Sequence, residues 1–220
     1  MGQPNVFTQV LAASNATAIA ASQSPGTAAI LINGGSATGG VATLDAQRRV
    51  VLASGGNDTA ITFTVIGTNG NGAPIQETVT GGNTTSTPAV TNLDFKTITN
   101  ILHSGTVTST LTVGTGGTGS SLWQIINWNP TPINIAWVIE ARSGTANFQL
   151  EYTLDDPNIL PGTGGLNAAG LVYSLPVTIA SSTATLGTNY TAPIVAWRLT
   201  TNSGTGTLVA RALQAGLASP

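Results

Sequence analysis

Residues 57–81, NDTAITFTVIGTNGNGAPIQETVTG, place apolar and hydroxyl side chains in alternation. Ile61, Phe63 and Val65 share one parity, while Thr62 and Thr64 share the other. That is the period of a strand with one face on a core and one in water. Asn69-Gly70-Asn71-Gly72 then supplies residues that tolerate positive φ, and the returning segment carries Ile75 and Val79 on one face. The stretch predicts a β-hairpin to which the rest of the chain must add. Glu77 is its discordant residue, because it shares the parity of Ile75 and Val79. Either a bulge shifts the register there, or the carboxylate sits at the rim of the sheet or in an interface.

The remaining segments extend the same pattern. Strands are predicted at Ala28 to Ile32, Arg49 to Ala53, Phe95 to Ile101 and around Val107, Leu111 and Val113. The glycine-rich run GTGGTGSS, residues 114–121, has the composition of a linker and marks a domain boundary. Beyond it, Ile133, Ile135, Trp137 and Ile139 fall on one face. After Ser143-Gly144, the residues Ala146, Phe148, Leu150, Tyr152 and Leu154 do so again, which reads as a second hairpin. Further strands are expected at Leu171 to Ile179, Ile194 to Thr200 and Thr207 to Gln214. No stretch has a helical period, and β-branched residues fill nearly every strand candidate.

The expected fold is therefore all-β: two antiparallel β-sandwich domains, jelly-roll or immunoglobulin-like, over residues 27–118 and 119–220. Residues 1–26 are small and polar, with Phe7, Val10 and Leu11 as their large apolar anchors. They read as an extended N-terminal arm, either reaching onto a neighbouring subunit or loosely ordered, whose removal should leave the β-domains folded.

Charge narrows the range of functions. Only 6% of the residues are charged, against about 25% in a typical soluble domain. Solubility must then come from Thr, Ser, Asn and Gly, and such a surface can be desolvated against a partner without stranding ions. With a net charge of −2 and the basic residues scattered singly apart from Arg48-Arg49, there is no footprint for a phosphate backbone, so nucleic acid is not an expected partner. The Ala-rich run from Ala12 to Ala21 is interrupted by Ser, Asn and Thr, which supports neither a signal peptide nor a membrane span. The cysteine count is 0, which removes disulfides and thiolate chemistry.

Candidate chemistry is sparse. The one histidine, His103, stands in a strand-to-turn segment without a nucleophile signature, so no catalytic residue is assigned. Asp155, Asp156 and Asn158 are hard oxygen ligands, but they lack the alternating spacing of a calcium loop and adjoin a turn-forming Pro157. No metal site or cofactor is assigned. Gly114, Gly116 and Gly119 match G-x-G-x-x-G only formally, since no amphipathic helix follows. The N-x-S/T sequences at Asn15, Asn57, Asn83 and Asn189 suggest exposed loops. Trp137 and Trp197 sit at strand positions and read as core. Trp123 and Trp128 are read first as interdomain packing, with an interface or a sugar-stacking platform as alternatives.

Several runs carry a family resemblance. Asp58 to Thr68, Asn71-Gly72, Glu77 to Gly81 and Phe95 to Ile98 together resemble a β-domain recurrent in tailed-bacteriophage virion proteins. Tyr152 to Asn158, Pro193 to Leu199 and Ser203 to Thr207 are similar to another segment of the same kind of protein. The resemblance covers most of residues 45–214, in an order associated with minor capsid and decoration, or cement, proteins. It implies a non-enzymatic subunit, made in the host cytoplasm, that binds the major capsid protein on the capsid exterior as a dimer or trimer and stabilises the shell by repeated contacts. Expected contact residues are Phe7, Val10, Leu11, Arg48, Arg49, Lys96, Trp123 and Trp128. Tail, neck or head-fibre placement, or a carbohydrate-binding adhesin, are the alternatives.

Overall fold

A computed structural model describes residues 5–127, 130–154, 173–174 and 186–218. These are all-β and antiparallel, with no α-helix among them. In chain order the strands are β1 (Asn5–Leu11), β2 (Ala20–Gln23), β3 (Ala37–Thr38), β4 (Val41–Ser54), β5 (Thr62–Thr68), β6 (Pro74–Thr80), β7 (Ala89–Val90) and β8 (Phe95–His103). There follow β9 (Leu111–Ser120), β10 (Gln124–Ile125), β11 (Pro130–Gly144), β12 (Asn147–Thr153), β13 (Tyr173–Ser174), β14 (Leu186–Tyr190), β15 (Ala196–Ser203) and β16 (Gly206–Ala218). The described residues form two compact units, one holding residues 14–119 and the other holding residues 5–13 with those from 120 on.

In the unit of residues 14–119 the ladder runs β9-β4-β8-β5-β6, with β2 on β9 and β3 and β7 on β4. The predicted hairpin is present as β5 and β6, in unbroken register from Thr62 opposite Thr80 to Thr68 opposite Pro74. Asn69 closes its turn, its side-chain oxygen accepting from the amides of Asn71 and Ala73. Phe63 and Val65 of β5 and Leu111 and Val113 of β9 point into one core as their parity requires. Phe95, Ile98 and Ile101 of β8 join it at three-residue spacing, where the pairing with β4 and β5 shifts register.

Two expectations change here. Ala28 to Ile32 is not a regular strand: the Gln23 carboxamide occupies the place a neighbouring strand would take, accepting from the Leu31 amide at 3.0 Å and donating to the Leu31 carbonyl at 2.9 Å. The glycine-rich run is not a linker over its length, since Leu111–Ser120 is all β9. Its glycine at 114 answers to close approach: a Cβ there would stand 2.0 Å from the Asn15 carbonyl oxygen.

This unit also holds an internal duplication. Asn15-Ala16-Thr17-Ala18-Ile19 and Asn57-Asp58-Thr59-Ala60-Ile61 fold alike, each Asn side chain accepting from the amide and the hydroxyl of the Thr two residues on. Ile19 and Ile61 are both buried, and each offers its carbonyl to the first residue of a Gly-Gly pair, Gly34 or Gly81. Leu44-Asp45 and Leu93-Asp94 then follow in the two copies.

The other unit is sandwich-like. One sheet runs β1-β16-β11-β14, and a second joins β13-β12-β15 with β10 on β15. Ile135, Trp137 and Ile139 of β11, Phe148 and Leu150 of β12, Trp197 and Leu199 of β15, and Leu208 and Ala210 of β16 share the core between them. The predicted second hairpin is therefore not one. The β11 and β12 stripes face each other across the core, in different sheets, and do not pair side by side. Alternation marks a half-buried strand but cannot distinguish a neighbour beside it from a neighbour opposite. The crossing turns β11–β12 and β15–β16 meet glycine against backbone: Gly144 has φ 80°, and a Cβ there would lie 2.0 Å from the Thr205 carbonyl oxygen.

The expected arm also takes a definite place. Asn5–Leu11 is extended, but it pairs residue for residue with β16, from Asn5 opposite Ala212 to Leu11 opposite Gly206. Leu11 and Gln9 are buried. Removing this segment would strip a strand from the sandwich-like unit, so the expectation that the β-domains survive its deletion is withdrawn.

Candidate interaction surfaces

The basic side chains find their partners within the chain, some buried and some at the surface. Arg48 is 1% exposed and donates from Nε and a terminal nitrogen to the two oxygens of Asp45, both at 2.6 Å, and to the Gly116 carbonyl. Its guanidinium lies within its own unit and is not presented at the surface. Arg49, more exposed, reaches Asp94 at 3.8 Å. Lys96 donates to the carbonyls of Leu44 at 2.6 Å and Asp45 at 3.1 Å, tying β8 to β4.

Glu77 resolves the discordance of the hairpin. No bulge shifts its register; the carboxylate sits at the rim. There it accepts from the backbone amides of Asn92 at 2.9 Å and Leu93 at 2.7 Å, and from the Asn92 side chain. An acid on the core parity thus pins the loop that leads into β8.

In the sandwich-like unit, Arg198 and Glu151 stand opposite one another on β15 and β12, both nearly buried. Gln149 donates to the second Glu151 oxygen at 2.7 Å. The Arg198 guanidinium carbon lies 4.8 Å from the ring centre of Trp123, a cation–π contact that takes up one face of the ring. Burial pushes the Glu151 carboxyl up, but the charge and hydrogen bond of Arg198, with Gln149, outweigh it and hold the group below the ordinary carboxylate range. Sequence reasoning missed this pair. Its signal was opposite charges on the polar parities of two strands, Glu151 between Leu150 and Tyr152, and Arg198 between Trp197 and Leu199.

A second ionic group lies on the outer face of the β1-β16-β11-β14 sheet. Glu140 accepts from Arg211 at 2.9 Å and Arg142 at 3.2 Å. The hydrogen bond from Arg211 outweighs the cost of desolvation and, with Arg142, holds the Glu140 carboxyl below its ordinary value. Around it the face is apolar, with Val6, Val10, Val138 and Leu213 exposed. Of the expected contacts on β1, Val10 is exposed, Phe7 half-buried and Leu11 buried. Trp137 and Trp197 are core and pack edge to face at 6.0 Å. Trp128, Asp155, Asp156 and Asn158 lie outside the described residues.

His103 is taken up by backbone. Its Nδ1 lies 2.5 Å from the Gly105 carbonyl and its Nε2 2.9 Å from the Ala28 carbonyl. Both partners are acceptors, so a ring with one N–H donates to one carbonyl and only abuts the other, and neither nitrogen is turned toward a nucleophile. Among the described residues there is no cluster of three or more acids and histidines able to hold a metal ion. The Asn15 and Asn57 sequons are side-chain-capped turns, which accounts for their sequence without a glycan.

Comparison with family models, with curated proteins and with solved structures finds no match for this chain.

Proposed function

We propose that this protein is a structural subunit of a tailed-phage virion that decorates the outside of the capsid and stabilises the shell by non-covalent contacts with the major capsid protein. The observation that carries the proposal is the internal commitment of its charge. Each of the 6 basic residues, at positions 48, 49, 96, 142, 198 and 211, has a carboxylate or carbonyl partner within the same chain. What remains for a partner is a β-surface of hydroxyl, amide and apolar groups, in which the few exposed basic side chains are already paired. Such a surface adheres through area and fit, at little desolvation cost, and gains strength when symmetry repeats it many times.

The same features give no support to acid–base chemistry, since the ring nitrogens of His103 and the described carboxylates, apart from buried Asp58, are engaged with partners in the fold. Electron microscopy of empty capsids incubated with the purified protein tests the proposal. Added density at regular positions on the shell exterior is the expected result. Density confined to the tail or neck, or none, would overturn the capsid assignment.

A further inference from the structure

We propose that two copies of this chain associate by antiparallel pairing of β1 with β1 across a two-fold axis through Thr8, making one continuous sheet from the two β1-β16-β11-β14 sheets. The inference rests on reading the chain as an assembling subunit and names the edge it uses.

An unpaired strand edge is a template for another strand, and proteins guard such edges with prolines, charges, bulges or brevity. The other edges here are guarded. β6 begins at Pro74 and carries Glu77, β14 is 5 residues long and contains Gly187, and β13 has 2 residues. By contrast, β1 is 7 residues, NVFTQVL, with no charge, proline, glycine or bulge. Among the described residues it pairs with β16 alone, and no described strand lies along its far edge.

The strand is also self-complementary. Val6 and Val10 stand symmetrically about Thr8 on the outer face, and each is 56% exposed. A two-fold axis at Thr8 sets Val6 of one copy opposite Val10 of the other, twice, with Thr8 opposite Thr8 between them. β-Branched and Thr–Thr pairs directly opposed are favourable on a sheet face. On the inner face the same register sets half-buried Phe7 against Gln9 of the second copy. Gln9 is 4% exposed, and neither atom of its carboxamide has a hydrogen-bond partner in the monomer. Because residues i and j exchange places across the axis, the contact is isologous and closes at two copies, which stops edge pairing from running on into fibres.

The test uses the full chain. By sedimentation equilibrium the native protein is expected to have twice its monomer mass of 22.0 kDa. In Val6→Glu/Val10→Glu, like charges face each other across the axis, and dimer affinity should fall at least about tenfold, as opposed like charges require. In Val6→Glu/Val10→Lys the charges are complementary, and the dimer should return. Thr8→Cys, in a chain with 0 cysteines, should form an intersubunit disulfide on mild oxidation, while Thr78→Cys on the β6 edge should not. A monomeric native chain, an unlinked Thr8→Cys variant, or equal dimerisation of the two charge variants would overturn the inference. A dimer of this kind that fails to decorate capsids would overturn the virion reading alone. A monomer that decorates them would overturn only the edge pairing.

Discussion

Arg198 places Nε and Nη2 each 2.7 Å from one oxygen of Glu151, directly across the β12–β15 ladder, in a position almost closed to water. Removing one member of a nearly buried pair strands the other. Glu151→Gln is therefore expected to destabilise the protein by about 3 kcal/mol, and Arg198→Ala by at least as much. Urea denaturation followed by tryptophan fluorescence would report it, because Trp123 stacks on Arg198.

The same pair sets a pH dependence. Glu151 titrates below the ordinary carboxylate range in the folded protein, so the folded state holds the proton less tightly than the unfolded chain. The stabilisation is complete above the unfolded pKa and is lost as pH falls through the folded one. Unfolding midpoints should therefore drop on acidification below about pH 4.5, and Glu151→Gln should flatten that limb. An acid limb unchanged in the variant would contradict the assignment.

Glu77→Val offers a direct contest between pattern and contact. The substitution completes the apolar alternation of β6, yet it removes the acceptor for the amides of Asn92 and Leu93. Loss of charge-assisted hydrogen bonds should win, lowering stability by about 1–2 kcal/mol in a thermal melt. A stabilised variant would mean that the loop amides are satisfied equally well by water.

The glycines of β9 are separable by substitution. Gly114→Ala drives a methyl group into the Asn15 carbonyl, and overpacking against backbone should cost about 1–3 kcal/mol or more. Gly116→Ala meets its nearest neighbour, a Val51 methyl, at 3.4 Å and should stay within about 0.5 kcal/mol of the native protein. Equal melting temperatures for the two would restore the linker reading.

How far these features could be read from sequence depends on the kind of contact. Strand identity and inward parity were legible at Phe63, Val65, Trp137 and Phe148, because alternation reports which face is dry. Pairing was not legible. The stripes of β11 and β12 looked like a hairpin and turned out to face each other. Gly114 looked like a linker residue because composition does not record how near another backbone passes. Gln23 replaced a strand with a carboxamide, and Glu77 used a core parity to hold a loop; both are side-chain-to-backbone contacts with no periodic trace. The duplicated Asn-x-Thr-Ala-Ile motif was visible in the letters, but spacing that differs between the copies hides it from a search at one fixed period.

The central claim is that an exterior without uncommitted basic charge adheres by fit and area. Under the proposed capsid role, titration of the purified protein onto empty capsids, at low salt and at about 0.5 M salt, tests it most directly, because the Debye length falls to a few ångströms over that range. Saturable binding with an affinity that changes less than about threefold is the predicted result, since screened ion pairs would contribute little. Binding that collapses at high salt, or no binding at either, would contradict the account.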